Sequence, residues 1–383
     1  MNIAYVNADA GIPLFSTKGA AVHVRDFAGA ATRLGHAVRV FTAKAGTPPA
    51  TWAVPYEVVE ASASSQDLPE DRGLRLNTAL RAALARDHQR GAFDVIYERY
   101  SLWSHSSLNF ARRRGLPYVL EVNSPLVVEQ STYRSLSRQA TARRIERYLF
   151  GAATRIVTVS REVADYVCAH GADPARVVVA VNGVDLSLYA DVQPPSTDDT
   201  RFTIGFLGSL KPWHGIDVLI DALELLVSRS PHYHLRLIGD GPERARLTAQ
   251  IAERGLSAHT TVVGQVARDQ VPVHLHDVDV TVAPYPRLDG FYFSPLKVFE
   301  YMAAGRPIVA SRIGQIESVL EDQQTALLVT PGDPGRLADA IETLRRQPAL
   351  AARLSRAARD QALSRHGWEH TVATALSGVE GQL

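Results

Sequence analysis

The chain has 383 residues, of which 46% are hydrophobic and 21% are charged, and its formal net charge is +1. This composition is typical of a globular protein large enough for two domains. The near-neutral charge excludes nucleic acid as the expected partner, because a phosphate backbone requires a clearly basic binding face. The single cysteine, Cys168, excludes an internal disulfide and favours a reducing compartment.

The N-terminal residues, MNIAYVNADAG, lack the basic region and long apolar run of a secretory signal. No later window reaches the roughly 18 apolar residues of a membrane span. We therefore expect a cytoplasmic protein. Two arginine-rich stretches, residues 112–115 and 143–150, are typical of solvated helix faces, and weak peripheral contact with an anionic membrane is the alternative.

Apolar runs of strand length alternate with helical patterns through the first half of the chain. The runs span residues 2–8, 37–43, 93–100, 117–123, 155–160 and 176–183. This alternation predicts a parallel sheet with helices on both faces. The polar, proline-containing stretch 191–200 has no periodicity and is the predicted linker.

The same alternation begins again after the linker. The second set of runs spans residues 202–208, 234–241, 259–266, 278–286, 306–311 and 325–331. The sequence therefore predicts an α/β protein with two doubly wound, Rossmann-like domains, residues 1–190 and 201–365. Ligands of such open sheets bind beyond the carboxyl ends of the strands, so we expect the domains to face each other across a cleft with loops on each side.

The stretch FYFSPLKVFE begins a predicted helix in the second domain. Ser294 is a suitable N-cap, and Pro295 and Leu296 fit the first turn of a helix over residues 295–304. The stretch follows a predicted strand, so the helix N-terminus should point into the expected cleft. Backbone amides and the helix dipole make such a terminus an anion site.

Two charged side chains lie on one face of this predicted helix. Lys297 adds a mobile cation near the N-terminus, and Glu300 lies about 9 Å along the axis from Ser294. A carboxylate at that distance from a bound diphosphate can accept hydrogen bonds from the two hydroxyls of a ribose. The alternative interpretation is an N-capped helix with a Lys–Glu pair on a solvated face.

Three further strand-end turns of the second domain could contact the same ligand. In the first turn, Gly208 and Ser209 precede Lys211, which could neutralise a diphosphate. The turns that contain Gly239 and Val266 could enclose a nucleobase. No Walker pattern is present, so a P-loop kinase is not expected.

The loop after the first strand of the chain leads into a helix that should begin near Ala20. Lys18, Gly19 and His23 would project from it over the cleft. A histidine at such a position is also common as a surface or partly buried helix residue.

Metal-binding patterns are weak in this sequence. Asp277 and Asp279 match an Asp-x-Asp metal motif but lead directly into a buried-looking strand. The histidine pairs, predicted to lie on strands, are His232 with His234 and His274 with His276. No cysteine or carboxylate with ligand spacing accompanies them, so we predict neither a metal nor a cofactor.

Several of these segments resemble one known family. The segments VNGVD, GSLKPWHGIDVLIDAL, APYP and SPLKVFEYMAAGRPIVAS resemble the donor-binding half of family 4 glycosyltransferases of the GT-B fold. TKGAAVHVRDFAGAATRLGHAVRVFT and YERYSLW with VLEVNSPL resemble the acceptor-binding half. The resemblance implies transfer of a sugar from a nucleotide diphosphate to an acceptor hydroxyl, with retention at the anomeric carbon and without a metal. It also implies that residues 366–383 return to the first domain as a C-terminal helix.

The resemblance assigns roles to residues of the second domain. Glu300 would bind the ribose, Lys211 and Lys297 the diphosphate, and the turns near Gly239 and Val266 the base.

The chain departs from the family pattern at two positions. The first glutamate of the family signature would fall at Tyr292, so Phe293, Ser294 and Pro295 must shape the sugar pocket. A histidine that the family often carries after an acceptor-domain strand is replaced by Asn123, which cannot act as a base.

The second departure favours a mechanism without an enzymatic base, in which the leaving diphosphate takes the proton of the acceptor on the face that the acceptor attacks. On the acceptor side, Glu98, Arg99 and Glu121 lie at the ends of predicted strands and are the next candidates.

The sequence therefore predicts a retaining glycosyltransferase with a UDP-sugar donor, or next a GDP-sugar donor. The acceptor would be a small molecule, a lipid-linked molecule or a glycan, in glycan, glycolipid or natural-product biosynthesis. One alternative is a sugar-nucleotide epimerase or hydrolase of the same fold. Another is a non-catalytic protein that binds nucleotide sugars.

Overall fold

The computed structural model describes residues 1–61, 68–133, 135–191, 201–288 and 290–379. The chain divides into two compact units. Unit 1 comprises Met1–Asn182, Tyr292–Ser294 and Trp368–Leu383, and unit 2 comprises Gly183–Phe291 and Pro295–Gly367. The chain thus leaves unit 1 after Asn182 rather than near residue 190. Of the predicted linker, residues 192–200 lie outside the described residues.

Unit 1 contains a seven-stranded parallel sheet. Its strands are β1 (Asn2–Asn7), β2 (Ala37–Thr42), β3 (Tyr56–Val58), β4 (Val95–Arg99), β5 (Tyr118–Val122), β6 (Arg155–Thr158) and β7 (Val177–Val179). Their order is β3-β2-β1-β4-β5-β6-β7. Strands β2 and β3 extend the sheet on one side of β1, and β4 to β7 extend it on the other, so the strand order switches between β1 and β4 while the strands stay parallel. The six predicted strands are confirmed. The sequence missed β3 because three residues at a sheet edge are too few to show a period.

Unit 2 contains a six-stranded parallel sheet. Its strands are β8 (Phe202–Leu207), β9 (Tyr233–Ile238), β10 (Thr260–Gly264), β11 (Val280–Ala283), β12 (Ile308–Ser311) and β13 (Leu327–Val329). The order β10-β9-β8-β11-β12-β13 reverses between β8 and β11. All six strands were predicted, so the two doubly wound, Rossmann-like sheets are confirmed.

Helices cover both faces of each sheet. The α-helices are α1 (Gly19–Arg33), α2 (Pro69–Arg90), α3 (Ser106–Arg114), α4 (Leu126–Tyr133), α5 (Gln139–Ala152), α6 (Arg161–Ala169), α7 (Ile216–Arg229), α8 (Arg244–Glu253), α9 (Val271–His276), α10 (Leu296–Ala303), α11 (Gln315–Val319), α12 (Pro334–Arg346), α13 (Pro348–Arg365) and α14 (Trp368–Leu376). Short 3-10 helices span Pro174–Arg176, Leu186–Tyr189, Pro212–His214, Ser257–His259 and Arg268–Gln270. Among the described residues, no helix combines the length and the apolar character needed to cross a membrane.

Each unit has its own apolar core, because strands covered on both faces must be apolar on both faces. In unit 1, residues such as Ile96, Leu120 and Phe150 are fully buried, and α14 packs on α1. In unit 2, the corresponding residues include Phe206 and Leu237.

Candidate active site

The reversal of strand order in unit 2 creates the point where open α/β sheets usually bind ligands. Gly208 directly follows β8, and the segment after β11 leads to α10. The first turn of α10 carries Lys297. The predicted anion site therefore lies at the switch point of this sheet.

Lys297 is buried but has no hydrogen-bond acceptor among the described residues. Its side chain is 7% exposed, and the amine lies 4.1 Å from the centroid of the Phe206 ring and 5.2 Å from that of Tyr285. A Cβ added at Gly208 would lie 3.1 Å from the amine, so a glycine leaves room beside the cation. Burial lowers the pKa of Lys297 to about 7, although Glu300 opposes this effect.

His214 and Lys211 share this environment. The 3-10 helix after β8 places His214 Nδ1 within hydrogen-bond distance of the carbonyl oxygen of Ser209. The Lys211 amine lies 5.5 Å from the centroid of the Trp213 ring. Burial and the positive charge of Lys297, with a smaller effect from Lys211, lower the pKa of His214 to about 3. His214 is therefore neutral near pH 7, and the positive charge of this region resides on the lysines.

The turns after β8, β9 and β10 interlock through their backbones. Gly239 has a φ of 137°, and a Cβ added there would lie 2.0 Å from the carbonyl oxygen of Gly208. Gly239 also donates its amide hydrogen to the carbonyl of Gly264 at 2.8 Å. These contacts bring the predicted turns together at one edge of the sheet, and Val266 follows as a half-buried residue.

The start of α10 differs from the sequence prediction. The helix begins at Leu296 with Pro295 as its N-cap residue, so the predicted N-cap at Ser294 was wrong. The Ser294 hydroxyl instead accepts a hydrogen bond from the Asn182 backbone amide at 3.3 Å. Phe293 and Ser294 belong to unit 1, whereas Pro295 and Leu296 belong to unit 2.

Glu300 lies one turn after Lys297 on α10 and is half-buried. Tyr189 is a buried tyrosine of unit 2. Burial raises its pKa most, and the negative charge of Glu300 raises it further. Tyr189 was not predicted, because a tyrosine in an aperiodic stretch carries no recognisable pattern.

Tyr292, where the family pattern places a glutamate, has polar partners in unit 1. Its hydroxyl donates to Glu129 Oε1 on α4. Its carbonyl accepts a hydrogen bond from the Ser160 hydroxyl at 3.0 Å. The tyrosine therefore anchors the 292–294 segment, which comprises Tyr292, Phe293 and Ser294.

In unit 1, three of the predicted acceptor-side residues meet at one carboxylate. Glu121, at the end of β5, lies 2.9 Å from His23 Nε2 and accepts a hydrogen bond from Arg99 at 2.9 Å. Asn123 also donates to Glu121, and so does Tyr97, at 2.8 Å. Burial would raise the pKa of Glu121, but attraction to His23 and Arg99 outweighs it and lowers the pKa to about 2.

The remaining acceptor-side residues lie elsewhere in unit 1. Glu98 is buried on the opposite face of β4 from Arg99, where its carboxylate accepts a hydrogen bond from Tyr118 at 2.6 Å. Burial raises the pKa of Glu98. Lys18 and Gly19 are exposed at the start of α1, and the Lys18 amine donates to the Gly11 carbonyl at 2.7 Å. The structure does not bring Glu98 to the Glu121 cluster.

The metal-like motifs have structural partners. Asp279 accepts a hydrogen bond from the Thr203 amide at 2.6 Å, and Asp277 lies 3.4 Å from Arg236. His274 and His276 lie on helix α9, so their prediction as a strand pair was wrong. In the part of the chain that the structure describes, no group of three or more His, Cys, Asp or Glu side chains could hold a metal ion.

Sequence reasoning missed the rings around Lys297 and the partners of the 292–294 segment. Phe206 and Tyr285 looked like ordinary strand-end residues, and only their contact with a buried cation distinguishes them. Asn182 and Glu129 are distant from residues 292–294 in sequence, so no local pattern could connect them.

Two family models match the chain. The model described as "Glycosyltransferase Family 4" matches residues 17–188, and the model described as "Glycosyl transferases group 1" matches residues 201–347. A D-inositol 3-phosphate glycosyltransferase from Pseudarthrobacter chlorophenolicus is 28% identical over 380 residues, covering 94% of this chain and 89% of the relative. A glycogen synthase from Mycobacterium tuberculosis is 28% identical over 292 residues, covering 75% and 68%.

Solved structures show the same architecture. Alr3699/HepE from Anabaena, in complex with UDP, matches with a TM-score of 0.76 and 21% identity, covering 100% of both chains. Sucrose-phosphate synthase from Thermosynechococcus elongatus matches with a TM-score of 0.74 and 20% identity, covering 97% of this chain and 96% of that one. The two Rossmann-like units thus have the fold of GT-B glycosyltransferases. Because the two family models match both halves of the chain, it belongs to the family 4 glycosyltransferases, which confirms the resemblance.

Proposed function

We propose that this glycosyltransferase takes its sugar from a nucleoside-diphosphate sugar, with UDP favoured and GDP next, and transfers it to an acceptor hydroxyl with retention. The reaction would need no metal ion. The acceptor would belong to glycan, glycolipid or natural-product biosynthesis. A cytoplasmic location and weak peripheral contact with a membrane remain predictions.

The observation that carries this proposal is the buried amine of Lys297. A buried cation without a hydrogen-bond acceptor is costly, and an anion bound beside Gly208 would supply both the charge and the acceptor. The position at the strand switch point and at the N-terminus of α10 fits a diphosphate. Lys211 would assist from the turn after β8.

The remaining donor contacts follow from this placement. Glu300, one turn further along α10, would bind the ribose hydroxyls, and the turns at Gly239 and Val266 would enclose the base. The leaving diphosphate, stabilised by the two lysines and the helix terminus, would take the proton from the acceptor hydroxyl. The acceptor-side contacts would come from Lys18, Gly19, Arg99 and Asn123 in unit 1.

The comparisons support the donor class. HepE has been crystallised with UDP and with UDP-glucose. Several relatives named D-inositol 3-phosphate glycosyltransferase match with 27–29% identity. Their name makes a phosphorylated cyclitol a reasonable first acceptor to assay.

The proposal is tested by thermal shift with UDP-, GDP-, dTDP- and ADP-sugars. One class should stabilise the wild type, by about 2.7 kcal/mol at a hundredfold excess over its dissociation constant, and Glu300→Ala should lose most of this effect. Absence of stabilisation by every nucleotide sugar would contradict the proposal.

Turnover then separates the alternatives. A transferase releases nucleotide only when an acceptor is present, whereas a hydrolase releases sugar without one, and a binding protein shows neither reaction. The anomeric configuration of the product tests retention, and full activity in excess EDTA tests the expected independence from metal.

A further inference from the structure

His23, on α1 of unit 1, lies between two oxygen atoms. Its Nδ1 is 2.7 Å from Asn182 Oδ1, and its Nε2 is 2.9 Å from Glu121 Oε1. The Asn182 amide group is oriented by its own Nδ2, which donates to the Ser294 carbonyl at 2.9 Å. Oxygen therefore faces the imidazole on both sides. Because the Asn182 Nδ2 is committed to Ser294, the Asn182 oxygen faces the ring, and His23 Nδ1 donates its N–H to that oxygen.

The Nε2 edge of the ring faces a buried carboxylate of unit 1. Glu121 is ionised and buried, and it pairs with both His23 and Arg99. The His23 ring is 4% exposed and packs edge-on against Trp368 with 4.8 Å between ring centroids. The Glu121 carboxylate and the packing against Trp368 fix the orientation of the imidazole.

Asn182 connects the His23 ring to the 292–294 segment. Its backbone amide donates to the Ser294 hydroxyl, and its side-chain amide donates to the Ser294 carbonyl, so one residue holds Ser294 at two points. The other end of the segment is held by Ser160 and Glu129 through Tyr292. The chain continues from Ser294 through Pro295 into α10, which carries Lys297.

We propose that His23 is a positioning residue that acts through Asn182. The imidazole fixes the Asn182 carboxamide, the carboxamide fixes Ser294, and Ser294 sets the backbone that enters α10. Nδ1 bonds Asn182 and Nε2 faces the buried Glu121 carboxylate, so the role assigned to His23 is neither an acceptor contact nor proton transfer. The effect on catalysis rests on the proposed donor site at Lys297.

The first test measures order in the 292–294 segment without any nucleotide. In His23→Phe and in Asn182→Ala, hydrogen–deuterium exchange of peptides that span residues 291–296 should be at least tenfold faster than in the wild type. His105→Phe, which alters a half-buried histidine that contacts Asn109, is the matched control and should leave this exchange unchanged. Unchanged exchange in a folded His23→Phe protein would overturn the proposal.

The double variant tests the route through Asn182. If His23 acts through Asn182, the exchange rate in the double variant should equal the rate in Asn182→Ala alone. If the two substitutions act independently, their accelerations of exchange multiply, and that result would refute the route. Should His23→Phe fail to fold, Asn182→Ala and the hydrogen bond from Nδ1 of wild-type His23 decide the matter. Nitrogen NMR should show a proton on Nδ1 that is hydrogen-bonded to Asn182, and an Nδ1 without a proton contradicts the proposal.

Kinetics test the link to the donor site separately. Asn182→Ala should raise the KM for the nucleotide sugar about tenfold with a smaller change in kcat, because it disturbs binding geometry and not the reacting atoms. A changed kcat with an unchanged KM would argue against positioning of the donor site. If no nucleotide sugar binds the wild type, the proposed function fails, while the exchange and NMR results still judge the contact between His23 and Asn182.

Discussion

The amine of Lys297 lies 4.1 Å from the centroid of the Phe206 ring and receives no hydrogen-bond acceptor from the described residues. The face of an aromatic ring partly compensates a buried cation, but less than a carboxylate or phosphate does. Unit 2 therefore buries an amine whose protonated form has an anion as its best partner.

Removal of this charge should abolish transfer without harming the fold. Lys297→Met should lower kcat/KM at least about 100-fold, because a cation that stabilises the leaving group is lost. Its melting temperature should equal or exceed that of the wild type, since methionine needs no counter-charge in this apolar site. Lys44→Met, at an exposed lysine of unit 1, is the control and should match the wild type. A Lys297→Met enzyme with wild-type kcat/KM would remove Lys297 from the mechanism.

Donor binding should take up a proton. Burial holds the pKa of Lys297 at about 7 in the unliganded protein, and a bound diphosphate should raise it. At pH 8, binding should consume close to one proton, and affinity should fall as pH rises above about 7. Calorimetry in buffers of different ionisation enthalpy measures this uptake, which Lys297→Met should lose.

The same pKa shift predicts a trend in the stability of the unliganded protein. The folded state binds fewer protons than the unfolded state between about pH 7 and the ordinary lysine value of 10.5. The contribution of Lys297 to the free energy of unfolding should therefore rise with pH over this interval. Urea unfolding of the wild type and of Lys297→Met measures this trend. The difference between their free energies of unfolding should be smaller at pH 9 than at pH 7.

The Glu121 cluster should dominate the acid sensitivity of unit 1. Glu121→Gln removes the buried carboxylate that faces His23 and pairs with Arg99, and it should lower the free energy of unfolding by about 3–5 kcal/mol. Because the folded pKa of Glu121 is about 2, the stabilisation by its ionised form is complete above about pH 4.5 and is lost toward pH 2. The difference in free energy of unfolding between the wild type and Glu121→Gln, measured with urea, should be smaller at pH 3 than at pH 6. Glu369→Gln, in an exposed pair with Arg33, should cost less than about 1 kcal/mol.

The backbone crossing at Gly239 should tolerate no side chain. Gly239→Ala would place a Cβ 2.0 Å from the Gly208 carbonyl at a φ of 137°, so we expect a loss of about 3 kcal/mol or more in the stability of unit 2. Gly255→Ala is the matched control, since Gly255 has a positive φ of 70° but nothing within 4 Å of its added Cβ. It should cost about 1 kcal/mol. Equal unfolding midpoints for the two variants would show that the crossing can relax.

The sequence determined the architecture because apolar periodicity is a local property of the chain. Twelve of the thirteen strands follow from runs of apolar residues bounded by turn residues, and the short edge strand β3 has no such run. Lys297 and Glu300 were also accessible from sequence, since a helix after a strand places residues three apart on one face.

The tertiary structure alone decided how those residues are partnered. Ser294 resembles an N-cap in sequence, yet its hydroxyl bonds the amide of Asn182, 112 residues earlier. His23 and Asn123 looked like separate acceptor-side candidates until Glu121 joined them. Hydrogen bonds, ion pairs and buried charges between distant segments depend on which strand ends the fold places side by side, and no local pattern records that order. The sequence thus determined the two Rossmann-like units and the helix that carries Lys297 and Glu300, whereas the fold decided that Lys297 is buried against Phe206 and that Tyr292 is held by Glu129.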